Sequence, residues 1–287
     1  MQLSRIRTAP GATPVVAGYA DGKLIVLGDD PDFVDISTLL AAGPAALQKA
    51  RAAIATGTAI DADSVEYLSP TTPTVFLGLG YNYKALATKE GVPFNAHPEL
   101  FAKMPGSAVG HDRPVKVPAV IDKVDYEAEL AVVIGKQASR VKAAEALDFV
   151  GGYTICNDLT AKLIPRPPES GSVVIPLKAV DTFGPMGPTL VTADEVPDPQ
   201  ALMLYCRING EEKQRFSTDD MVHSVSEAIE YITARITLNP GDVITTGTSL
   251  GIGIIEVPPV FLNPGDVMEV GIEGYPVLRN RIEWERA

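Results

Sequence analysis

The sequence predicts a mainly β protein of the α+β class, with a small N-terminal domain in front of a larger C-terminal domain. Short apolar runs separated by turn residues recur along the chain, which is typical of strands. The 287 residues include 25 glycines and 24 prolines without a collagen-like period, which predicts many turns. Only a few stretches have the apolar spacing of a helix, so strands are favoured over most of the chain.

Residues 1–70 are predicted to form the small N-terminal domain. Two short apolar runs, Val15–Ala20 and Lys23–Leu27, flank an Asp-Gly pair, which is a strong signal for a β-hairpin. Residues 39–57 are rich in alanine and leucine and predict a helix that is interrupted by a Gly-Pro pair. A Thr-Thr-Pro sequence then marks a boundary, and the larger domain is expected to span 74–287.

The larger domain is predicted to contain mostly strands and a few helices. In chain order the elements are strand Thr74–Leu79, strand Glu129–Ile134, helix Lys142–Val150, strand Gly151–Cys156 and helix Ser224–Arg235. In the last of these, apolar residues recur at the i, i+3, i+4 and i+7 positions from Val225, which indicates an amphipathic helix. The sequence Asn-Pro-Gly-Asp-Val occurs at 239–243 and again at 263–267, and each Pro-Gly pair predicts a type II turn before a strand.

Charge and composition exclude several classes of partner. With 24 basic and 36 acidic residues the net charge is −12, which disfavours binding to nucleic acid and to anionic membranes. No run approaches the ~20 apolar residues of a membrane span, and the N-terminus lacks the apolar core of a secretory signal. Two cysteines are too few for a disulfide framework. We therefore expect a cytoplasmic protein whose partner is a small molecule.

Acidic residues lie beside two of the predicted strands. Side chains alternate along a strand, so Glu127 and Glu129 share one face and lead directly into an apolar run. Asp158 follows the apolar strand that ends at Cys156. Buried carboxylates are costly unless a cation neutralises them, and Mg²⁺ and Mn²⁺ prefer such oxygens. The three acids therefore indicate a metal site, and the alternative is a solvent-facing strand that carries two acids.

A series of segments in the larger domain resembles the fumarylacetoacetate hydrolase family. The matching segments are 80–83, 101–103, 125–130, 132–135, 151–154, 157–158, Lys178 with 181–188, 209–211, 238–248 and 263–266. Each segment is short, but their order over some two hundred residues makes the resemblance specific. It implies a mixed β-sandwich roll behind a small N-terminal domain, a homodimer, and an enzyme that acts on a small 2-oxo acid with Mg²⁺ or Mn²⁺.

The resemblance also implies roles for individual side chains. The metal ligands would be Glu127, Glu129 and Asp158, in agreement with the pairing argued from the residues themselves. The catalytic residues would be Lys178, whose charge offsets three carboxylates, and Lys103, which matches a lysine that reaches the substrate in relatives. The substrate-binding residues would be Thr248, after a glycine that lets the backbone approach a ligand, with Lys162 and Tyr83.

One part of the family pattern is missing from this chain. Relatives commonly carry a histidine and, three residues later, a glutamate on a helix after the Asn-Tyr segment, and this pair activates the hydrolytic water. Here those positions are occupied by Leu86 and Lys89, with Glu90 and His97 as weaker substitutes. A glutamine often found soon after the aspartate ligand is also absent, and Pro165 is nearby.

This departure leaves the reaction type open. Family frequency puts first a hydrolase that cleaves a carbon–carbon bond in a small 2,4-dioxo acid of the acylpyruvate type. The same metal site also suits a lyase or isomerase, namely a decarboxylase, isomerase or dehydratase of a 2-oxo acid, because a decarboxylation does not require the missing base. A third hypothesis is a binding protein that kept the site and lost catalysis.

Overall fold

The computed structural model describes residues 1–20, 22–162 and 177–285, and it is built mostly of strands. The strands are β1 Gln2–Arg7, β2 Val15–Ala20, β3 Lys23–Val26, β4 Ala59–Asp61, β5 Glu66–Tyr67, β6 Phe76–Gly80, β7 Glu99–Lys103, β8 Ala108–Val109, β9 Val115–Val117, β10 Lys123–Asp125, β11 Ala128–Ile134, β12 Val150–Asn157, β13 Thr160–Lys162, β14 Gly184–Pro185, β15 Leu190–Thr192, β16 Met203–Ile208, β17 Glu211–Ser217, β18 Val243–Thr245, β19 Val267–Ile272 and β20 Leu278–Trp284. The α-helices are α1 Ile36–Ala42, α2 Pro44–Thr56, α3 Lys84–Glu90 and α4 Val225–Thr233. The predicted α+β class is confirmed. Over the described ranges, every helix is too short or too polar to cross a membrane.

Most strands belong to one large mixed sheet. Its order is β4-β3-β2-β1-β15-β12-β11-β18-β6-β7, and β5 pairs with the free part of β1. The predicted N-terminal hairpin is confirmed by the pairing of β2 with β3, while Asp21 of its turn lies outside the described residues. Because β1 pairs with β15, the N-terminal strands extend the sheet of the larger domain. The domain boundary near residue 70 stays a prediction.

A second sheet packs against the middle of the first. Its order is β17-β16-β19-β20-β9, and β16 and β19 contact β11 and β12 across the interface. The apolar core between the sheets includes Leu130, Leu204 and Val270, all buried. The other face of β11 packs through Ala131 and Val133 in a second apolar cluster that includes residues of α1. Strand β11 is thus covered on both faces, which explains its continuous apolar run.

The predicted helices and turns form close to their expected places. The alanine-rich stretch forms α1 and α2, separated at the predicted Gly-Pro pair. Helix α4 begins after Ser224, whose hydroxyl and the Glu227 carboxylate form a capping box. The helix predicted over 142–150 is a 3₁₀ helix over Ala143–Phe149. Both Asn-Pro-Gly-Asp turns are confirmed, because Gly241 and Gly265 each have a φ of 90° and the turns lead into β18 and β19.

Candidate active site

Two adjacent strands bring the three predicted metal ligands together. Strand β11 pairs antiparallel with β12 so that Glu129 lies opposite Cys156, and the Asp158 N–H donates to the Glu127 carbonyl at 2.8 Å. One carboxylate oxygen from each of Glu127, Glu129 and Asp158 lies within 4.8 Å of the other two. The exposed fractions are 7%, 1% and 0% respectively, so the solvent-facing alternative is excluded.

Two lysines neutralise part of this charge. The Lys178 ammonium donates to Glu127 Oε2 at 2.7 Å and also to the Asp158 carboxylate. The Lys103 ammonium, which is fully buried, donates to Asp158 Oδ1 and to the Lys178 carbonyl, both at 2.6 Å. Both lysines contact Asp158, and Lys178 also contacts Glu127, but no ammonium group of the described residues forms an ion pair with Glu129.

A third lysine borders the cluster. Lys162 Nζ lies 3.6 Å from Glu127 Oε1 and 3.8 Å from Asp125 Oδ2. Asp125 lies to the side of the cluster and accepts the N–H groups of Gly253 and Ile254 at 2.7 and 3.0 Å. Burial, followed by the nearby Glu127 carboxylate, raises the pKa of Asp125 to about 6.

The electrostatic environment differs between neighbouring members of the cluster. Complete burial, together with the Asp158 charge, raises the pKa of Glu129 well above its ordinary value. Burial acts in the same direction on Asp158, but Lys103 and Lys178 outweigh it and lower the pKa of that carboxyl. Burial would lower the pKa of Lys178, yet the three carboxylates raise it, so this side chain is a cation and a hydrogen-bond donor.

The donor set fits a hard divalent cation. All three groups offer carboxylate oxygens, which are the ligands that Mg²⁺ and Mn²⁺ prefer. Glu129 has lost its hydration and has no lysine partner among the described residues, so a bound cation would stabilise its charged form. The Glu127 oxygen is further oriented by the Thr160 hydroxyl at 2.9 Å, and Glu129 Oε2 by the Gly247 N–H at 2.9 Å.

A cavity of about 250 Å³ opens over the cluster. Of the predicted site residues, five line its wall: Glu127, Glu129, Lys162, Lys178 and Thr248. Asp158 and Lys103 lie directly behind this wall through the contacts described above. Tyr83 does not line the cavity, because its ring is fully buried and packs edge-to-face on Phe216 at 5.0 Å between centroids. Tyr81 lines the cavity instead.

Gln214 and Gly247 fix the backbone segments that carry site residues. The Gln214 amide accepts the Ala128 N–H at 3.0 Å and donates to Thr248 Oγ1 at 2.9 Å, joining β11 to the Thr248 loop. Gly247 has a φ of 85°, and a Cβ there would lie 2.8 Å from the Leu79 carbonyl oxygen. The sequence marks Gly247 as a close-approach position, but nothing in the sequence marks Gln214, which is far from both partners along the chain.

The outer wall of the cavity is formed by the segment 83–100, which we call the lid. Leu86 of α3 is part of this wall, and its apolar side chain is only 5% exposed. Glu90 and Glu99 also line the cavity at the lid end and are exposed. His97 instead stacks on Tyr231 at 5.4 Å between ring centroids. Among the described residues, no histidine lines the cavity, and Pro165 lies outside that part of the chain.

The chain matches the model of one protein family and is similar in sequence to known proteins. Residues 75–283 match the family model described as fumarylacetoacetate (FAA) hydrolase C-terminal. The human mitochondrial oxaloacetate tautomerase FAHD2B is 37% identical over 269 residues, which are 92% of this chain and 85% of that protein.

Solved structures agree with the fold. Fumarylacetoacetate hydrolase from the psychrophile Exiguobacterium antarcticum superposes with a TM-score of 0.85 at 29% identity, covering 99% of this chain and 100% of that one. Maleylpyruvate hydrolase from Sphingobium sp. SYK-6, in complex with a manganese(II) ion and pyruvate, superposes with a TM-score of 0.82 at 26% identity, and both chains are covered completely.

Proposed function

The chain belongs to the fumarylacetoacetate hydrolase family, and from that membership we propose that it catalyses a proton shift, a keto–enol tautomerisation or double-bond isomerisation, in a small 2-oxo acid. That it is a metal-dependent enzyme acting on a small acid follows from the family and the carboxylate cluster. The observation that carries the finer proposal is that Leu86 lines the cavity wall. By the family resemblance, this is the position at which hydrolytic relatives carry a water-activating histidine.

The deep end of the cavity supports binding and charge stabilisation. Glu127, Glu129 and Asp158 would hold the cation, for which we propose Mg²⁺ or Mn²⁺. When bound, such an ion stabilises negative charge that develops on the 2-oxo group. Lys178 stays cationic between its carboxylate partners and adds a second positive charge at the same place. The Thr248 hydroxyl, fixed by Gln214, is proposed to donate to the substrate carboxylate.

The lid end supplies the proton acceptor of the proposal. A tautomerisation moves one proton between the 2-oxo oxygen and the carbon next to the 2-oxo group. It therefore needs a base beside that carbon and no activated water. Glu90 is the carboxylate that α3 contributes to the cavity wall. We propose that Glu90 takes the carbon proton in one direction and returns it in the other. The proton of the enol oxygen exchanges with solvent, to which this end of the cavity is open.

Hydrolysis of an acylpyruvate remains the second candidate. Two observations favour it. A similar solved structure is a maleylpyruvate hydrolase, and the carboxylate of Glu90 or Glu99 at the lid end could activate a water. A decarboxylase or dehydratase has no specific contact in its favour. The homodimer and the cytoplasmic location stay predictions, and the human relative is named as mitochondrial.

A pair of assays separates the two candidates. The purified protein with Mn²⁺ is mixed with freshly dissolved enol oxaloacetate, and the loss of enol absorbance is followed against the spontaneous rate. The same preparation is incubated with acetylpyruvate, and released pyruvate is measured. We expect metal-dependent acceleration of the first reaction and little release in the second. Rapid pyruvate release without enol conversion would show a hydrolase, and inactivity in both assays with Mg²⁺ and Mn²⁺ would contradict the proposal.

A further inference from the structure

A second polar pocket lies away from the active-site cavity, between the N-terminal strands and the loop 105–113. Its volume is about 260 Å³, and it shares no lining residue with the active-site cavity. Arg5 and Arg7 lie two residues apart on β1 and both line it, and Arg113 lines it from the opposite side. We call this site, defined by these arginines and Ser69, the arginine pocket.

Positive charge exceeds negative charge in the arginine pocket. Arg7 and Arg113 contact the same Glu66 oxygen, at 3.1 and 3.2 Å, so one carboxylate serves two guanidinium groups. Arg5 donates to the Thr72 hydroxyl at 3.0 Å. Burial lowers the pKa of Arg5 against the opposing effect of Asp35, the other acid near this group. A basic cluster is unexpected in a chain whose net charge is −12.

The guanidinium groups of the pocket are accessible to a ligand. The Arg7 and Arg113 side chains are 33% and 46% exposed, and Arg5 lines the same pocket. Two further polar atoms, the Ser69 hydroxyl and Arg7 Nε, have no partner among the described residues, but both lie beneath the surface, so a ligand in the pocket does not reach them. The accessible arginine side chains are therefore the groups that a ligand meets.

We propose that the arginine pocket binds the carboxylate or phosphate group of a small anionic metabolite. Oxygens of these groups accept the paired N–H donors of guanidinium better than any neutral acceptor does. The volume is enough for a small metabolite but not for a large ligand. The ligand would accept N–H groups of the guanidinium groups that line the pocket and balance the surplus charge.

Calorimetric titration of the metal-loaded protein with inorganic phosphate, and separately with acetate, tests the proposal. We expect one bound phosphate per chain at the arginine pocket, at least about tenfold weaker in Arg113→Ala and in Arg7→Gln. Ser69→Ala removes a hydroxyl that lies beneath the pocket surface and should leave binding unchanged. Arg235→Ala, which removes an exposed arginine elsewhere, is the matched control and should bind as the parent does. Binding of acetate as well would indicate a carboxylate ligand, and binding of phosphate alone a phosphate ester.

Two outcomes would overturn the proposal. In the first, neither probe binds at millimolar concentration; if light scattering then shows that Arg113→Ala breaks an oligomer, the pocket is an interface with a second copy of this chain. In the second, binding is equal in the parent and in both arginine variants. Neither of these outcomes depends on the reaction at the active site, so the proposed function stands or fails separately.

Discussion

The two ends of the active-site cavity differ in almost every physical property. At the deep end, Glu129, Asp158 and Lys103 are buried, and the Lys103 ammonium donates to Asp158 at 2.6 Å. At the lid end, Leu86 presents an apolar surface and Glu90 is exposed to solvent. The deep end matches the family pattern and the lid end departs from it. We infer that the deep end determines which functional group is bound, and the lid end determines what happens to it.

This division has a physical basis. Moving a member of the deep cluster would leave a buried charge without its partner, which is strongly destabilising, so the arrangement tolerates little change. Exposed lid positions such as Lys89 and Glu90 have no such constraint, because solvent compensates a new charge or a lost one. We infer that changes at the lid alter the reaction more readily than changes at the deep end do.

The largest expected effect comes from the deep end. Glu127→Ala removes a proposed metal ligand and the acceptor of Lys178, so Mn²⁺ binding should be lost and enol conversion should fall at least about 10³-fold. Calorimetry with Mn²⁺ and the enol assay measure the two losses. Glu145→Ala, which changes an exposed acid outside the cavity, is the control and should keep both properties. Unchanged metal affinity in Glu127→Ala would refute the metal site.

A smaller effect is expected from the proposed base at the lid end. Glu90→Gln keeps the shape of the side chain and removes its basicity, so kcat for enol conversion should fall roughly 10²-fold with Mn²⁺ affinity intact. Glu99→Gln is the matched comparison, because Glu99 lines the same end of the cavity. If Glu99→Gln lowers kcat and Glu90→Gln does not, the assignment of the base is wrong.

Changing the lid toward its hydrolytic relatives should alter the reaction without altering the metal site. The double variant Leu86→His with Lys89→Glu places the missing pair on one face of α3, since the positions are three residues apart. We expect pyruvate release from acetylpyruvate to rise about tenfold, with Mn²⁺ affinity unchanged. Leu86→His alone is the control for the new histidine. No gain in the double variant would show that the lid does not decide the reaction.

The sequence predicts the deep end well because that end depends on short-range rules. Glu127 directly precedes β11 and Glu129 is the second residue of that strand, while Asp158 directly follows β12. Pairing of β11 with β12 is between consecutive strands of the large sheet, which is the commonest arrangement. The roles of Lys103 and Lys178, in contrast, could be stated only from the family resemblance.

The sequence fails where the geometry is set by distant contacts or by a local break in the strand. Gln214 reaches Ala128 across 86 positions, which no local pattern encodes. The family resemblance alone predicts Tyr83 as a substrate-binding residue, and its role stays a prediction. Tyr81, with a φ of 48° directly after β6, lines the cavity, whereas Tyr83 is buried in the core.

The smallest effect is expected at Thr248, which belongs to the deep end but acts on the substrate rather than the cation. Thr248→Val keeps the shape and removes the hydroxyl, so KM for the 2-oxo acid should rise about threefold to tenfold, with kcat nearly unchanged. The fold should tolerate the change, because the Gln214 amide also lies 3.3 Å from the carbonyls of Ser249 and Leu250. Thr248→Ser retains the hydroxyl and should restore the parent KM. A fall in kcat at constant KM would instead show that Thr248 acts in the chemical step. The deep end would then take part in the reaction and not only in binding.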